Sequence, residues 1–198
     1  MSMNRHEELS LIRRAQSGDV DAMSELIDAH QPSLYAFMLR MTGRPEVAED
    51  VVQEAFVRVL KNLDRYDPRF RFSTWLFTIA RRLHVNWTQK HAPASETDLV
   101  ESRASTASQP AGMAAASERR ARISEIVDRA LSGLNETQRE IVLLFHQQEW
   151  PITDLARYMR MPEGTIKSHL HRARQRMREI IETENADHLT TLEEVLVP

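Results

Sequence analysis

The chain has 198 residues, 41% apolar and 28% charged, with a formal net charge of −3, five Gly and no Cys. That length suits one ordinary domain or two small ones, and the apolar content is too high for a chain disordered throughout. Disulfides, a thiol nucleophile and Cys-ligated zinc are excluded; no run approaches a membrane-spanning helix or a signal peptide, so a soluble cytoplasmic protein is expected.

In chain order, Leu9, Ile12 and Ala15 predict a short helix ending at Gly18. Asp19 is placed to cap the next, with Ala22, Met23, Leu26 and Ile27 on one face. Pro32, lacking an amide, is expected to interrupt it before Leu34, Phe37, Met38 and Met41 resume the stripe to Gly43. The clearest signal runs from Pro45 to Lys61, where Ala48, Val51, Val52, Ala55, Phe56, Val59 and Leu60 recur at steps of three and four. Residues 62–72 read as a loop broken by Pro68 and two Asp. Ser73 or Thr74 is then expected to cap a helix to about Gln89, with Leu76, Ile79, Ala80 and Leu83 inward.

Residues 91–118 hold eight Ala, five Ser and two Pro with almost no large apolar residue. Ordering such a stretch costs more entropy than burial returns, so it reads as a flexible linker with a nascent helix at its Ala-rich end. Beyond it, Ile123, Ile126, Val127, Ala130 and Leu131 form a stripe ending at Gly133. Asn135 with Gln138 is a capping-box-like start for a helix carrying Ile141, Val142, Leu144 and Phe145, broken at Trp150-Pro151. Thr153 is expected to cap a short helix with Leu155, Ala156 and Met159. Arg160-Met161-Pro162 turns the chain into a long helix, about Glu163 to Glu182, with Ile166, Leu170, Ala173, Met177 and Ile180 as its stripe. No stretch alternates with period two, so the fold class is all-α, as two small helical domains joined by a flexible linker.

The modest net charge conceals segregation. Residues 1–56 carry −5, 57–91 carry +6, 157–178 carry +6, and 179–198 carry −6 with no Lys or Arg. Two basic blocks between acidic stretches suggest two surfaces that meet polyanions. In the second block, a short helix, a turn and a longer basic helix form a helix-turn-helix pattern. Opposite its apolar stripe lie Gly164, Thr165, Lys167, Ser168, His171, Arg172 and Gln175, short or cationic groups near a helix N-terminus that suit a major groove. The first block interleaves Arg69, Arg71, Arg81, Arg82 and Lys90 with Tyr66, Phe70, Phe72, Trp75, Phe77 and Trp87, a composition that suits single-stranded nucleic acid. Several of these rings must be core; Trp75 is expected to be half-buried, and Trp87 and Tyr66 are the better candidates for exposure.

The segments AEDVVQEAFVRVLKNL (48–63), FSTWLFTIARRL (72–83) and PEGTIKSHLHRARQRMR (162–178), in that order around a polar linker, resemble an extracytoplasmic-function (ECF) sigma factor of bacterial RNA polymerase. The resemblance implies region 2 over 1–90, the linker over 91–118, region 4 over 119–183 and an acidic tail over 184–198. It assigns Asp50, Gln53, Glu54, Phe56 and Arg58 to docking on the polymerase β′ clamp helices. Asn62, Asp64, Tyr66, Arg71, Trp75, Arg81, Arg82, Asn86 and Lys90 would melt and read the −10 element. Thr153 and the seven groove-facing residues of the last helix would read the −35 element while that domain touches the β flap. Promoter DNA, core polymerase and an anti-sigma factor are the implied partners; no cofactor and no membrane insertion are implied, and an envelope or stress regulon is the expected target. Arg82, Asp154, Trp150-Pro151 and His169 depart from the family pattern; they bear on promoter sequence rather than class. At His169 the family often has Arg, so a contact there is expected to be weaker or pH-sensitive.

The competing readings are a stand-alone helix-turn-helix regulator binding duplex DNA as a dimer, and a small helical hydrolase. The acidic, aromatic-rich first half disfavours the former, and no nucleophile elbow, P-loop or metal spacing supports the latter. The eight His residues include no pair four apart, so no metal site is expected. The acidic tail is read as solvated, with a lid over the basic 157–178 surface as the sharper alternative.

Overall fold

A computed structural model describes residues 4–91 and 114–184. They form α1 (Arg5–Gln16), α2 (Val20–Thr42), α3 (Pro45–Lys61), α4 (Phe72–His91), α5 (Ala114–Ser132), α6 (Glu136–Val142), α7 (Ile152–Met159) and α8 (Glu163–Glu184), with no strand among the described residues. The chain divides into two compact units, α1–α4 and α5–α8. Helix α5 begins inside the stretch read as linker. The rest of that stretch, and the acidic tail beyond residue 184, lie outside the described residues.

In the first unit the helix ends follow local chemistry. Asn4 caps α1 by accepting the His6 and Glu7 amides at 3.0 Å, and the Glu7 carboxylate returns the bond to the Asn4 amide. Asp19 caps α2 through the Ala22 amide at 3.0 Å. That amide and then the Arg14 guanidinium hold the Asp19 carboxyl below the usual carboxylate range. Gly43 ends α2 in the left-handed region at φ 66°, a conformation that costs a Cβ-bearing residue strain. Pro45 opens α3 at a position whose amide is unpaired in any helix.

Pro32 does not interrupt the second helix. Helix α2 runs through it, and Pro32 itself is exposed. The lost hydrogen bond falls on a solvent-facing side, where water can serve the freed carbonyl. Burial of Leu26 before it and Leu34, Phe37 and Met38 after it, each at 1% exposure or less, outweighs the ~3 kcal/mol that an interior proline costs. Helix α2 packs on α1 and α3, and α3 packs on α4. On α4 the buried set is Phe72, Leu76, Phe77, Ala80 and His84, while the expected Ile79 and Leu83 are half-buried. The helix starts at Phe72, so Ser73 and Thr74 lie inside its first turn rather than at its cap.

The second unit is organised around α8, which contacts α5, α6 and α7. Asn135 caps α6 through the Gln138 amide at 2.8 Å. After Val142 the helix widens into a π-helical stretch, Leu143–Gln147, a form that periodicity alone does not reveal. Thr153 is not the cap of α7. The helix starts at Ile152, and the Pro151 carbonyl accepts the Asp154 and Leu155 amides. Trp150 sets that start: it is 2% exposed, its amide bonds the Leu144 carbonyl at 3.0 Å, and its ring meets Tyr158 edge-on at 5.3 Å. On α8 the buried stripe is Ile166, Leu170, Ala173, Met177 and Ile181; Ile180 is half-buried. The Ile180 side chain lies over Gly133 at the end of α5, where any Cβ would collide with it.

A buried polar bond joins two helices of this unit. Tyr158 on α7 donates its hydroxyl to the Glu140 carboxyl on α6 at 2.7 Å, both residues being buried. Tyr158→Phe removes that donor with little change in volume. We expect a loss of about 1–3 kcal/mol from the second unit, read as a lowered calorimetric transition for that unit alone.

Candidate nucleic-acid interface

Burial of one stripe on each helix decides which side chains face outward. On α3 the buried row of Val51, Val52, Ala55, Phe56 and Val59 leaves Glu46, Glu49, Asp50, Gln53, Glu54, Val57 and Arg58 exposed. Glu54 and Arg58 pair at 2.7 Å across one helical turn, both about half-exposed, so the pair is weak and screened by salt. Phe56, expected on this surface, is 6% exposed and supports it from beneath. Val57, missed in the sequence, is 42% exposed amid the carboxylates. Its only signal was that it falls off the apolar stripe.

The 62–71 segment leaves α3 through Asn62, whose side-chain amide donates to the Arg58 carbonyl at 2.9 Å. A single 3-10 turn, Leu63–Arg65, buries Leu63 and leaves Asp64 exposed. Tyr66 is not an exposed stacking platform. It is 7% exposed, its hydroxyl donates to the Phe70 carbonyl at 2.6 Å, and burial, followed by Glu8, pushes its pKa up to about 12. Its ring joins Phe72 at 5.7 Å and Trp75 at 5.6 Å in an aromatic cluster under the segment. Asp67 accepts the Arg69 amide at 2.9 Å and pairs with its guanidinium at 2.6 Å; these contacts hold the Asp67 carboxyl below its usual range. The tip is thereby a tight turn, with Arg71 exposed just after it.

Along α4, Trp75, Arg82, Asn86 and Lys90 follow steps of seven, four and four, so at about 100° per residue they form one row. Trp75 is half-buried and the other three are exposed. Arg81, expected with them, lies roughly a third of a turn away on the other border of the buried stripe. It is half-buried there. Trp87 is stacked on His91 at 4.4 Å and has the Arg44 guanidinium 5.4 Å from its ring centre, so it is already covered by groups of its own unit.

On α8, Gly164, Ser168, His171 and Gln175 form a row opposite Ile166, Leu170 and Ala173, and all four are exposed. Lys167 and Arg172 flank that row and are exposed, and Thr165 is half-buried beside it. A Cβ at Gly164 would meet nothing within 4 Å, so the helix start is open to a close approach. The Ser168 hydroxyl bonds back to the Gly164 carbonyl at 2.9 Å. Thr153 is exposed in the first turn of α7. His169 is half-buried on the flank, away from the outward row. Among the described residues no group of three or more His, Asp or Glu is arranged to hold a metal ion.

Three comparisons bear on this arrangement. Residues 26–93 match the family described as Sigma-70 region 2, and residues 124–177 match Sigma-70, region 4. The chain is 32% identical to the ECF RNA polymerase sigma factor EcfG of Rhodopseudomonas palustris, over 84% of this chain and 89% of that one. It is 27% identical to the ECF sigma factor SigW of Bacillus subtilis, over 84% and 92%. In fold it is similar to the sigma factor RpoE of Bartonella quintana, solved with the anti-sigma factor NepR: TM-score 0.59 at 23% identity, covering 82% of this chain and 98% of that one.

The basic surface of α8 also has a titrating group behind it. His146, in the π-helical stretch, has its Nε2 3.4 Å from Arg174 Nη2, and burial, then Arg174, lowers its pKa from the ordinary value. The folded chain therefore favours neutral His146, whereas the unfolded chain takes up that proton near pH ~6.5. Stability of the second unit is full above that pH and falls as pH drops toward the folded value. Hydrogen exchange of α6 and α8 in the full chain should speed up from pH 7 to 5, after correction for intrinsic rates. His146→Gln should flatten that dependence.

Proposed function

The chain belongs to the ECF family of RNA polymerase sigma factors, and on that premise we propose how its surfaces divide the work of promoter-specific initiation. The exposed row of α3, with Asp50, Gln53, Glu54 and Arg58 over buried Phe56, docks on the β′ clamp helices. Its carboxylates complement a basic partner, and Val57 adds a small apolar contact at their centre. The 62–71 segment and the row of Trp75, Arg82, Asn86 and Lys90 receive the melted −10 strand. Cations there neutralise phosphates, and the half-buried Trp75 ring offers a stacking edge backed by Tyr66 and Phe72. Tyr66 serves this surface by bracing the segment, and Arg81 borders it.

In the second unit the row of Gly164, Ser168, His171 and Gln175, flanked by Thr165, Lys167 and Arg172, enters the −35 major groove, with Thr153 at the adjoining phosphates. The same unit meets the β flap. Residues 1–90, 91–118 and 119–183 serve as region 2, tether and region 4. The protein acts in the cytoplasm with core polymerase and performs no catalytic step itself; among the described residues no helix is long and apolar enough to cross a membrane. An anti-sigma factor, of the class that holds the Bartonella quintana protein, is the expected regulator.

The observation that carries this reading is that the polar rows of α3 and α8 stand opposite the buried stripes of their own helices. Run-off transcription with core polymerase on a pool of genomic fragments tests it. Start sites sharing two spaced elements are expected, and absence of any transcript overturns the reading. Within the holoenzyme, Lys167→Ala should weaken binding to all promoters alike and reduce the salt slope by about one. Asp50→Lys with Glu54→Lys should weaken association with core polymerase about tenfold or more, measured by competition, because like charges then face each other.

A further inference from the structure

Helix α1 precedes residue 26, where the match to region 2 begins. Two of its side chains nonetheless reach the backbone of the 62–71 segment. Arg5 Nη2 donates to the Pro68 carbonyl at 2.7 Å, and Gln16 Nε2 donates to the Leu63 carbonyl at 2.8 Å. The two anchors stand about 16 Å apart along the helix axis. They grip the segment on either side of Tyr66. Between them, Glu8 meets His30 of α2 at 3.1 Å, with both side chains mostly buried, and the His30 ring lies 5.0 Å from Phe72. Glu8 and Arg5 also act electrostatically on Tyr66, from opposite signs. So α1 packs against α2, with the Glu8–His30 and Arg14–Glu25 contacts between them, and two of its side chains hydrogen-bond the segment.

We propose that α1 is a strut that sets the position of the 62–71 segment, and that Arg5 and Gln16 are positioning residues for strand capture. The proposal rests on the reading that this segment receives the melted strand. The chemistry of the anchors supports it. Both acceptors are main-chain carbonyls, so the hold uses none of the segment's own side chains, and Asp64, Arg65 and Arg71 stay solvent-exposed. The segment has only a 3-10 turn and the Asp67–Arg69 turn of its own, and holding each residue in one backbone conformation costs entropy. Two long-range bonds to a capped helix offset part of that cost before DNA arrives, which is preorganisation in the sense that lowers the cost of binding.

The test uses the full chain with Arg5→Ala and Gln16→Glu combined; the second change keeps size but removes the donor. Four results are expected. Amide exchange of residues 63–71 quickens while α3 and α4 are unchanged. Holoenzyme binds a fluorescent single strand, carrying the −10 element of a promoter recovered by run-off transcription, about tenfold more weakly. Affinity for core polymerase stays at the wild-type level, and Arg5→Lys with Gln16 retained restores most of the strand affinity. Unchanged exchange in the segment overturns the strut, and quickened exchange with undiminished strand affinity overturns the positioning role. A loss of core affinity in the double variant also overturns it, as general damage to the unit. If wild-type holoenzyme holds the strand no better than core polymerase alone, the functional reading of the segment fails instead, while amide exchange still reports on the strut.

Discussion

On α3 and α8 the outward polar row is the reverse side of a buried stripe. A helix has one azimuth per residue, so once Val52, Ala55 and Phe56 are committed to the core of the first unit, Asp50, Gln53, Glu54 and Val57 have nowhere to go but out. The same holds for α8, where Ile166, Leu170 and Ala173 are buried and the polar row stands opposite. Apolar burial, the largest favourable term in folding, thus also supplies the register of recognition. A one-residue slip in either stripe would rotate every contact by about 100°.

The surfaces differ in how they are stiffened. The polar row of α8 rests on a helix packed against three others, and the Ser168 hydroxyl spends its hydrogen bond on its own helix. The 62–71 segment has no such scaffold. Its order comes from Tyr66 tucked under it, from the Asp67–Arg69 turn at its tip, and from the two carbonyls held by α1. A duplex groove asks for a rigid face, whereas a melted strand asks for a shaped pocket of cations and rings; under the proposed function the two units would meet these demands with different means. Neither surface needs high affinity alone, because attachment of both to one polymerase raises the effective concentration of the second contact.

Most of the secondary structure was legible from local chemistry. Asp19, Gly43, Pro45 and Asn135 act at the helix ends where their side chains or backbones suggest, and the α3 stripe is buried nearly as its spacing implies. The family was legible from three motifs in order. Misreadings arose where a local rule met a tertiary contact. Pro32 reads as a break because its missing amide is visible in the sequence and the packing on both sides of it is not. Thr153 reads as a cap because it is a capping residue type, but with Trp150 buried the helix starts at Ile152, two residues earlier than a Thr153 cap implies. In the sequence Tyr66 reads as exposed; only the fold shows the Phe70 carbonyl that takes its hydroxyl.

Helix periods, caps and charge segregation are properties of residues within a few positions of one another, so they follow from the order of the amino acids: an all-α chain with two basic surfaces, in two parts. Contacts between residues far apart in the chain cannot be read that way. Ile180 over Gly133, Tyr158 on Glu140, and Arg5 and Gln16 on the 62–71 backbone link residues 18 to 63 positions apart. Such pairs exist only after the helices have packed, because a side chain's partner across the fold depends on the register of every element between them.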